Sequence, residues 1–258
     1  MLLAADVGNT ETMLGLFDGA ELRRTWRLST RPERTSDELA LAFGGLLDRA
    51  GLSFPEDVDA AVVASVVPDV TSALREMADA LPFELLLVGP GTHTGVSVLT
   101  DNPKEVGADR VVNTLAAFAR FGGPSIVVDF GTGTNFDVVS DRGEFLGGVI
   151  APGLQISAAS LFARTARLTR VDLVAPRSAI GKNTVEAIQS GLIFGTAGEV
   201  DAIVERIRGE LGEPAATTIA TGGLAPVVIP HCRTIDHHEP WLTLEGLRLV
   251  AEREAAQA

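Results

Sequence analysis

One short pattern occurs twice in this 258-residue chain, and the repeat constrains its fold more than any other feature. Within residues 2–17 an apolar strand runs into Asp6-Val7-Gly8-Asn9-Thr10, and a second apolar run follows. Within residues 126–139 the order is the same: Ile126-Val-Val, then Asp129-Phe-Gly131-Thr132-Gly133-Thr134, then an alternating run to Val139. Apolar run, acid, Gly/Thr-rich turn and apolar run together read as a β-hairpin with the acid at its tight end. Gly131 and Gly133 allow positive φ and close approach of another group to the backbone. A turn with free N–H groups, hydroxyls and a neighbouring carboxylate suits a phosphate and its metal ion. One such hairpin is commonplace. Two, with Asp6-Val-Gly8 and Asp129-Phe-Gly131 in step, predict a duplicated domain whose hairpins face each other across a cleft that takes a nucleoside triphosphate.

Length and composition allow this. The chain is long enough for one large or two small domains, and at 46% hydrophobic residues it can bury a substantial core. The net charge is −13 with no basic run, which argues against nucleic acid and anionic membrane as partners. An anionic substrate would need a local basic site against that field. Cys232 is the single cysteine, so no internal disulfide forms, and a reducing compartment fits. No basic segment precedes Asp6, so no signal peptide is expected, and no apolar run approaches the roughly 18–20 residues of a membrane span. The expectation is a soluble, cytoplasmic protein.

Taken in order, residues 2–17 form the first hairpin and Glu21–Ser29 adds a third strand. Thr35-Ser-Asp-Glu38 is a capping box that opens a helix to about Arg49. Ala60–Val67 is a continuous apolar run, as in a buried parallel strand. Pro68-Asp69 starts a helix to about Leu81, and Leu85–Val88 is a strand. The order β-β-β-α-β-α-β makes this half an α/β domain with a mixed sheet. Thr92–Asn102 reads as loop, and Asn102, Pro103 and Glu105 read as a helix start interrupted at Gly107. A clear helix follows from Asp109 to Phe121. The second half holds the 125–139 hairpin, a strand near Phe145–Ile150, and helices at 152–166 and 183–211. It also holds strands at 171–174 and Thr217–Thr221, and a closing helix at 243–255. The expected domains are 1–121 and 122–258.

Several residues have chemistry to offer. Gly107-Ala108-Asp109-Arg110 puts an acid beside a base at a helix start. Asp109 can accept a proton from a hydroxyl, and Arg110 can hold an anionic group. Asp109 can equally serve as a helix cap. The glycines of Gly147-Gly-Val-Ile-Ala-Pro-Gly153 permit backbone approach to a ligand or another strand. The pair in Thr221-Gly222-Gly223 permits a flat ring to lie on backbone, or marks an ordinary turn. Gly181-Lys-Asn-Thr184 ends like a Walker motif but lacks its upstream glycines, so no P-loop is expected. His237 and His238 are adjacent and face different ways, so they make no helical metal pair.

In this order, the Asp6–Thr10, Asn102–Arg110 and Asp129–Thr132 stretches, with Gly147–Gly153, Gly181–Thr184 and Thr221–Gly223, resemble the type III pantothenate kinase family over essentially the whole chain. The resemblance implies a duplicated actin/hexokinase-like (ribonuclease H-like) α/β fold, with two similar domains around a nucleotide cleft. It implies ATP-dependent phosphorylation of pantothenate to 4'-phosphopantothenate, the first step of coenzyme A synthesis. Family members act as homodimers with Mg²⁺ and a monovalent cation, K⁺ or NH₄⁺. Carried over, Asp6, Val7, Gly8, Asn9, Thr10, Glu11, Thr12 and Met13 would hold ATP together with Thr132. Asp109 would be the general base. Thr100, Gly107, Ala108, Arg110 and Thr184 would hold pantothenate, Thr184 from the partner subunit, and Asp129 would bind the monovalent cation. The chain departs from the family pattern at Gly133 and Asn135, where Ala and Thr are usual. It also departs at Thr100, where Tyr is usual, and at Leu168-Thr169, where Leu-Pro is usual. These departures keep two alternatives open: a weakened homologue with a binding or regulatory role, or another small-molecule kinase of the same superfamily.

Overall fold

The computed structural model describes residues 1–163 and 170–256. The 164–169 stretch, which includes the end of the expected 152–166 helix and the Leu168-Thr169 departure, lies outside the described residues. The chain forms two compact units.

The first unit comprises residues 1–96, 101–116 and 243–258. Its strands are β1 (Leu2–Val7), β2 (Glu11–Asp18), β3 (Glu21–Ser29), β4 (Ala60–Ser65) and β5 (Glu84–Val88), in the sheet order β3-β2-β1-β4-β5. β1 runs antiparallel to β2 and parallel to β4, and β4 runs parallel to β5. The apolar β4 run is central and buried, as expected of a parallel strand covered on both faces. Helix α1 (Ser36–Asp48) starts at the anticipated capping box: Glu38 N–H donates to Thr35 Oγ1 at 3.3 Å, and Thr35 N–H to Glu38 Oε2 at 3.0 Å. Helix α2 (Pro68–Ala80) starts at Pro68 and buries Leu74 and Met77 beside Phe43 and Leu47 of α1. Each of these side chains contributes roughly 1.5–3 kcal/mol by leaving water.

The second unit comprises residues 97–100 and 117–242. Its strands are β6 (Ser125–Phe130), β7 (Gly133–Val139), β8 (Phe145–Pro152), β9 (Thr217–Thr221) and β10 (His237–His238), in the order β10-β9-β6-β7-β8. β6 is antiparallel to β7 and parallel to β9, and β9 is parallel to β10. Position by position this is the first sheet over again, with β6 in the place of β1. The duplication expected from the two Asp-x-Gly turns therefore extends to the whole strand order. Helix α5 (Thr184–Leu211) buries Ile193, Val200 and Val204 against this sheet, and α4 (Leu154–Ala163) adds Leu154 and Ala158.

Three features differ from the sequence reading. Residues 171–174 form no strand: Val171 and Leu173 pack on the core, but the Asp172 carbonyl is taken by Gln189 Nε2 at 3.0 Å and by Val174 N–H at 2.9 Å. The expected 121/122 boundary does not coincide with the units. Helix α3 (Ala108–Phe121) divides between them, and α7 (Leu242–Ala255), apart from its first residue, belongs to the first unit. The cause is close packing, since a Cβ on Gly246 would lie 2.1 Å from Val112 O, so α7 meets α3 backbone to backbone. Finally, α6 (Ala225–Val228) and the two-residue β10 were not anticipated. No helix among the described residues is long and apolar enough to cross a membrane.

Candidate active site

In the first unit, β1 delivers Asp6 one residue before its end, in register with Met13 of β2 and Ala64 of β4. The turn after it is tight: Gly8 N–H donates to Glu11 O at 3.0 Å, and a Cβ on Gly8 would lie 3.1 Å from that oxygen. Asn9, Thr10 and Glu11 are exposed at the turn, and the Glu11 carboxylate lies 3.7 Å from Arg27. Val7 is buried and can offer only its backbone. Thr12 is also buried, and its hydroxyl lies 2.8 Å from Thr30 Oγ1. Thr12 therefore ties the turn to the end of β3 and does not point outward.

The expected proton acceptor, Asp109, lies in the first turn of α3, after a 3-10 turn at Pro103–Glu105. Asn102 does not cap that turn with its side chain; its Nδ2 donates instead to Glu105 Oε1 at 2.6 Å. The Asp109 carboxylate folds back over Gly107, where a Cβ would lie 2.3 Å from Oδ1. Gly107 thus leaves room for the carboxylate in this position, and a side chain there would make Asp109 swing away. Gly107 O accepts from Arg110 N–H at 3.1 Å, and Thr114 Oγ1 donates to Arg110 O at 3.0 Å. One turn on from Asp109, the buried Asn113 accepts from Thr243 Oγ1 at 2.8 Å, so α7 fixes the helix that carries the acid.

In the second unit, Asp129 holds the place in β6 that Asp6 holds in β1, in register with Asn135 and Thr221. The turn closes with Gly131 N–H donating to Gly133 O at 3.0 Å. Two glycines far away in sequence make room for it. Gly222, at φ +91°, would place a Cβ 2.4 Å from Asp129 Oδ1 and 2.6 Å from Phe130 N. Gly153 would place one 2.1 Å from Thr132 O. Gly153 and Gly222, one from each motif, therefore cradle the Asp129 turn. That gives these two glycines a packing duty, where the sequence allowed a ligand, another strand or an ordinary turn.

Thr100 also belongs to the second unit. Leu99 N–H donates to Phe145 O at 2.8 Å, which lays this segment along β8. Gly147, at φ +126°, would bring a Cβ to 3.9 Å from Thr100 Cγ2. Thr100 Oγ1 is buried without a hydrogen-bond partner among the described residues. Thr184 is the exposed first residue of α5, whose N-cap Asn183 accepts from Glu186 N–H at 2.9 Å. The glycine before it packs on Ala187 N at a hypothetical Cβ distance of 2.4 Å, so the Gly-Lys-Asn-Thr stretch is a helix start and no phosphate loop.

Two further titratable groups of the second unit, Asp201 and Cys232, are structural. Burial would raise the Asp201 carboxyl, but hydrogen bonds from Arg233 N–H, Thr234 Oγ1, the Arg233 side chain and Thr234 N–H outweigh it and hold it below its ordinary value. Burial, helped by the charge of Asp201, pushes the Cys232 thiol up to about 12, so it is no nucleophile at neutral pH. No group of three or more His, Cys, Asp or Glu among the described residues could hold a metal by itself.

Solved structures of other proteins share the fold. A chain of the Acidaminococcus fermentans (R)-2-hydroxyglutaryl-CoA dehydratase component A superposes with a TM-score of 0.61 at 16% identity, covering 99% of this chain and 98% of that one. The ROK hexokinase of Thermus thermophilus gives 0.52 at 16% identity, covering 98% and 99%. With the two like-ordered sheets, these identify the actin/hexokinase-like fold. The type III pantothenate kinase of Parafrankia sp. (strain EAN1pec) is 55% identical over 257 residues, 98% of each chain. The sequence model of type III pantothenate kinase matches residues 2–206, and the chain belongs to that family.

Proposed function

We propose that this chain transfers the γ-phosphoryl group of ATP to the 4'-hydroxyl of pantothenate, giving 4'-phosphopantothenate for coenzyme A synthesis. Family membership over the full chain carries the activity. The observation in the molecule that supports it best is Asp109, half-buried, set over Gly107 and anchored through Asn113 to α7. Such a carboxylate is positioned to take one proton.

In this reading the Asp109 carboxylate accepts the hydroxyl proton as the hydroxyl oxygen bonds to the γ-phosphorus. The bond from that phosphorus to the β,γ-bridging oxygen breaks, and ADP leaves with the electron pair. The chain needs no covalent nucleophile, because phosphoryl transfer is governed by positioning and charge neutralisation. The backbone of residues 6–13 and Thr132 would hold the phosphates. Arg110 would meet the pantothenate carboxylate with a charge-assisted hydrogen bond. Thr100, beside Gly147, would form one wall of the pantothenate site.

Mg²⁺ would arrive on the nucleotide, and a monovalent cation would be held at Asp129. The donor chemistry fits: a carboxylate near a strand end beside a turn, with glycine rather than a side chain at Gly222 next to Oδ1. Such ions neutralise phosphate charge as it shifts. The reading includes a homodimer: Ile180 and Val185, exposed apolar side chains on either side of Thr184 in sequence, are suited to a partner surface. The partner subunit's Thr184 would then contact pantothenate. ATP use and a single cysteine are consistent with a cytoplasmic reaction in this reading.

The test is a substrate panel with ATP: pantothenate against sugars, glycerol and other hydroxy acids, each with K⁺ or Na⁺. Turnover confined to pantothenate and dependent on K⁺ or NH₄⁺ is expected. Preference for another hydroxyl compound would overturn the assignment.

A further inference from the structure

Neither Asp-x-Gly turn brings a cation of its own. Residues 1–22 contain no lysine or arginine, and none occurs between Arg120 and Arg142, whereas Asp6, Glu11 and Asp129 put carboxylates there. In a chain of net charge −13, a bound polyphosphate, even with its Mg²⁺, would gain from positive side chains elsewhere in the fold.

The end of β3 supplies it. Ser29 pairs with Glu11 across the sheet, Thr30 N–H donates to Thr10 O at 3.0 Å, and the Thr30 and Thr12 hydroxyls are 2.8 Å apart. The loop that follows is thereby tied to the first turn at three points. It carries Arg31 and Arg34, whose backbones close a turn with Arg34 N–H on Arg31 O at 3.1 Å. Thr12, Ser29, Thr30, Arg31 and Arg34 line one recess, floored by Leu39 and Phe43. Arg27, the other arginine next to the turn, lies 3.7 Å from Glu11 and is occupied by it. No carboxylate among the described residues pairs with Arg31 or Arg34. Two unengaged guanidinium groups on a loop hydrogen-bonded to a glycine turn, in an otherwise acidic chain, match a phosphate-rich ligand.

We propose that Arg31 and Arg34 bind the phosphate tail of the nucleotide held at the first turn. This rests on the ATP reading above. It adds a charged contact to a site otherwise built from backbone and hydroxyls, and it assigns the 30–34 loop to nucleotide affinity.

The test uses the full chain and measures binding of ATP, adenosine and pantothenate by calorimetry for wild type, R31A/R34A, R31K/R34K and R31E. The alanine pair is expected to weaken ATP roughly tenfold or more, leaving adenosine and pantothenate within about twofold. The lysine pair should keep most of the ATP affinity. R31E should weaken ATP too, and because Arg31 is exposed it remains a clean variant should the double substitution unfold. ATP affinity should fall with salt more steeply in wild type than in R31A/R34A. Unchanged ATP binding by R31A/R34A or R31E, or an equal loss for adenosine, would overturn the proposal, as would a lysine pair as weak as the alanine pair. A wild type that binds no ATP would instead mark the failure of the ATP reading itself.

Discussion

Gly222→Ala probes the Asp129 cradle at its tightest point. The new Cβ would lie 2.4 Å from Asp129 Oδ1 and 2.6 Å from Phe130 N, on a backbone with φ +91°. The left-handed backbone costs an alanine about 1–2 kcal/mol. Relieving the overlap costs about 1–3 kcal/mol more, because Phe130 is central in its sheet and the carboxylate is the part that can yield. A total of about 3 kcal/mol should lower Tm by roughly 6–12 °C in scanning calorimetry. Since the carboxylate must move, the K⁺ concentration for half-maximal activity should rise as well. The matched control is Gly209→Ala on the exposed face of α5, where a Cβ would meet nothing within 4 Å. That change should stabilise by up to about 0.5–1 kcal/mol. If Gly222→Ala melts within about 2 °C of wild type and keeps its K⁺ response, Gly222 does not shape the Asp129 site and the cradle argument fails.

Three further outcomes are expected. Asp109→Asn should reduce kcat by roughly 10²–10⁴ while ATP and pantothenate still bind; near-normal turnover in a folded variant would return Asp109 to a helix-start residue. Thr100→Val replaces a buried hydroxyl that has no partner in the chain with a methyl of similar size. It should leave Tm equal or higher by up to about 1 kcal/mol of stability, and raise the pantothenate KM if that hydroxyl meets the substrate; a lower Tm would refute the first half. Because Asp201 is held below its ordinary value of 3.8 in the fold, its contribution is present above that pH and is lost as pH falls through the depressed value. Asp201→Asn should therefore flatten the acid limb of the stability curve below about pH 4, and an unchanged limb would show that other carboxylates carry it.

Local rules made much of this fold legible. The Asp-x-Gly turns showed the duplication because period-two apolar runs flanked them in the same order, and the two sheets repeat strand for strand. The Thr35 capping box and the helix starts at Pro68 and Asn183 were readable because caps are set by residues three or four apart. What stayed hidden depends on distant parts of the chain. Nothing local says that Gly246 packs on Val112 O, so the return of α7 to the first unit was missed and the domain boundary fell at 121/122. The 171–174 stretch alternates like a strand, yet Gln189, over a dozen residues away, takes the Asp172 carbonyl that a neighbouring strand would need. Gly153 and Gly222 announced a close approach but not its partner, which is the Asp129 turn. The same holds for Arg31 and Arg34: their place beside the first turn follows from the β2–β3 register, which a linear reading does not give.

The most direct measurement of the account's central claim is transfer of label from γ-labelled ATP to pantothenate by the purified chain, with Mg²⁺ and K⁺ present. The account predicts labelled 4'-phosphopantothenate in a one-to-one ratio with ADP, formed by wild type and lost in Asp109→Asn. ATP and pantothenate both binding to wild type, with no label reaching pantothenate, would contradict it and leave a homologue that holds these ligands without joining them.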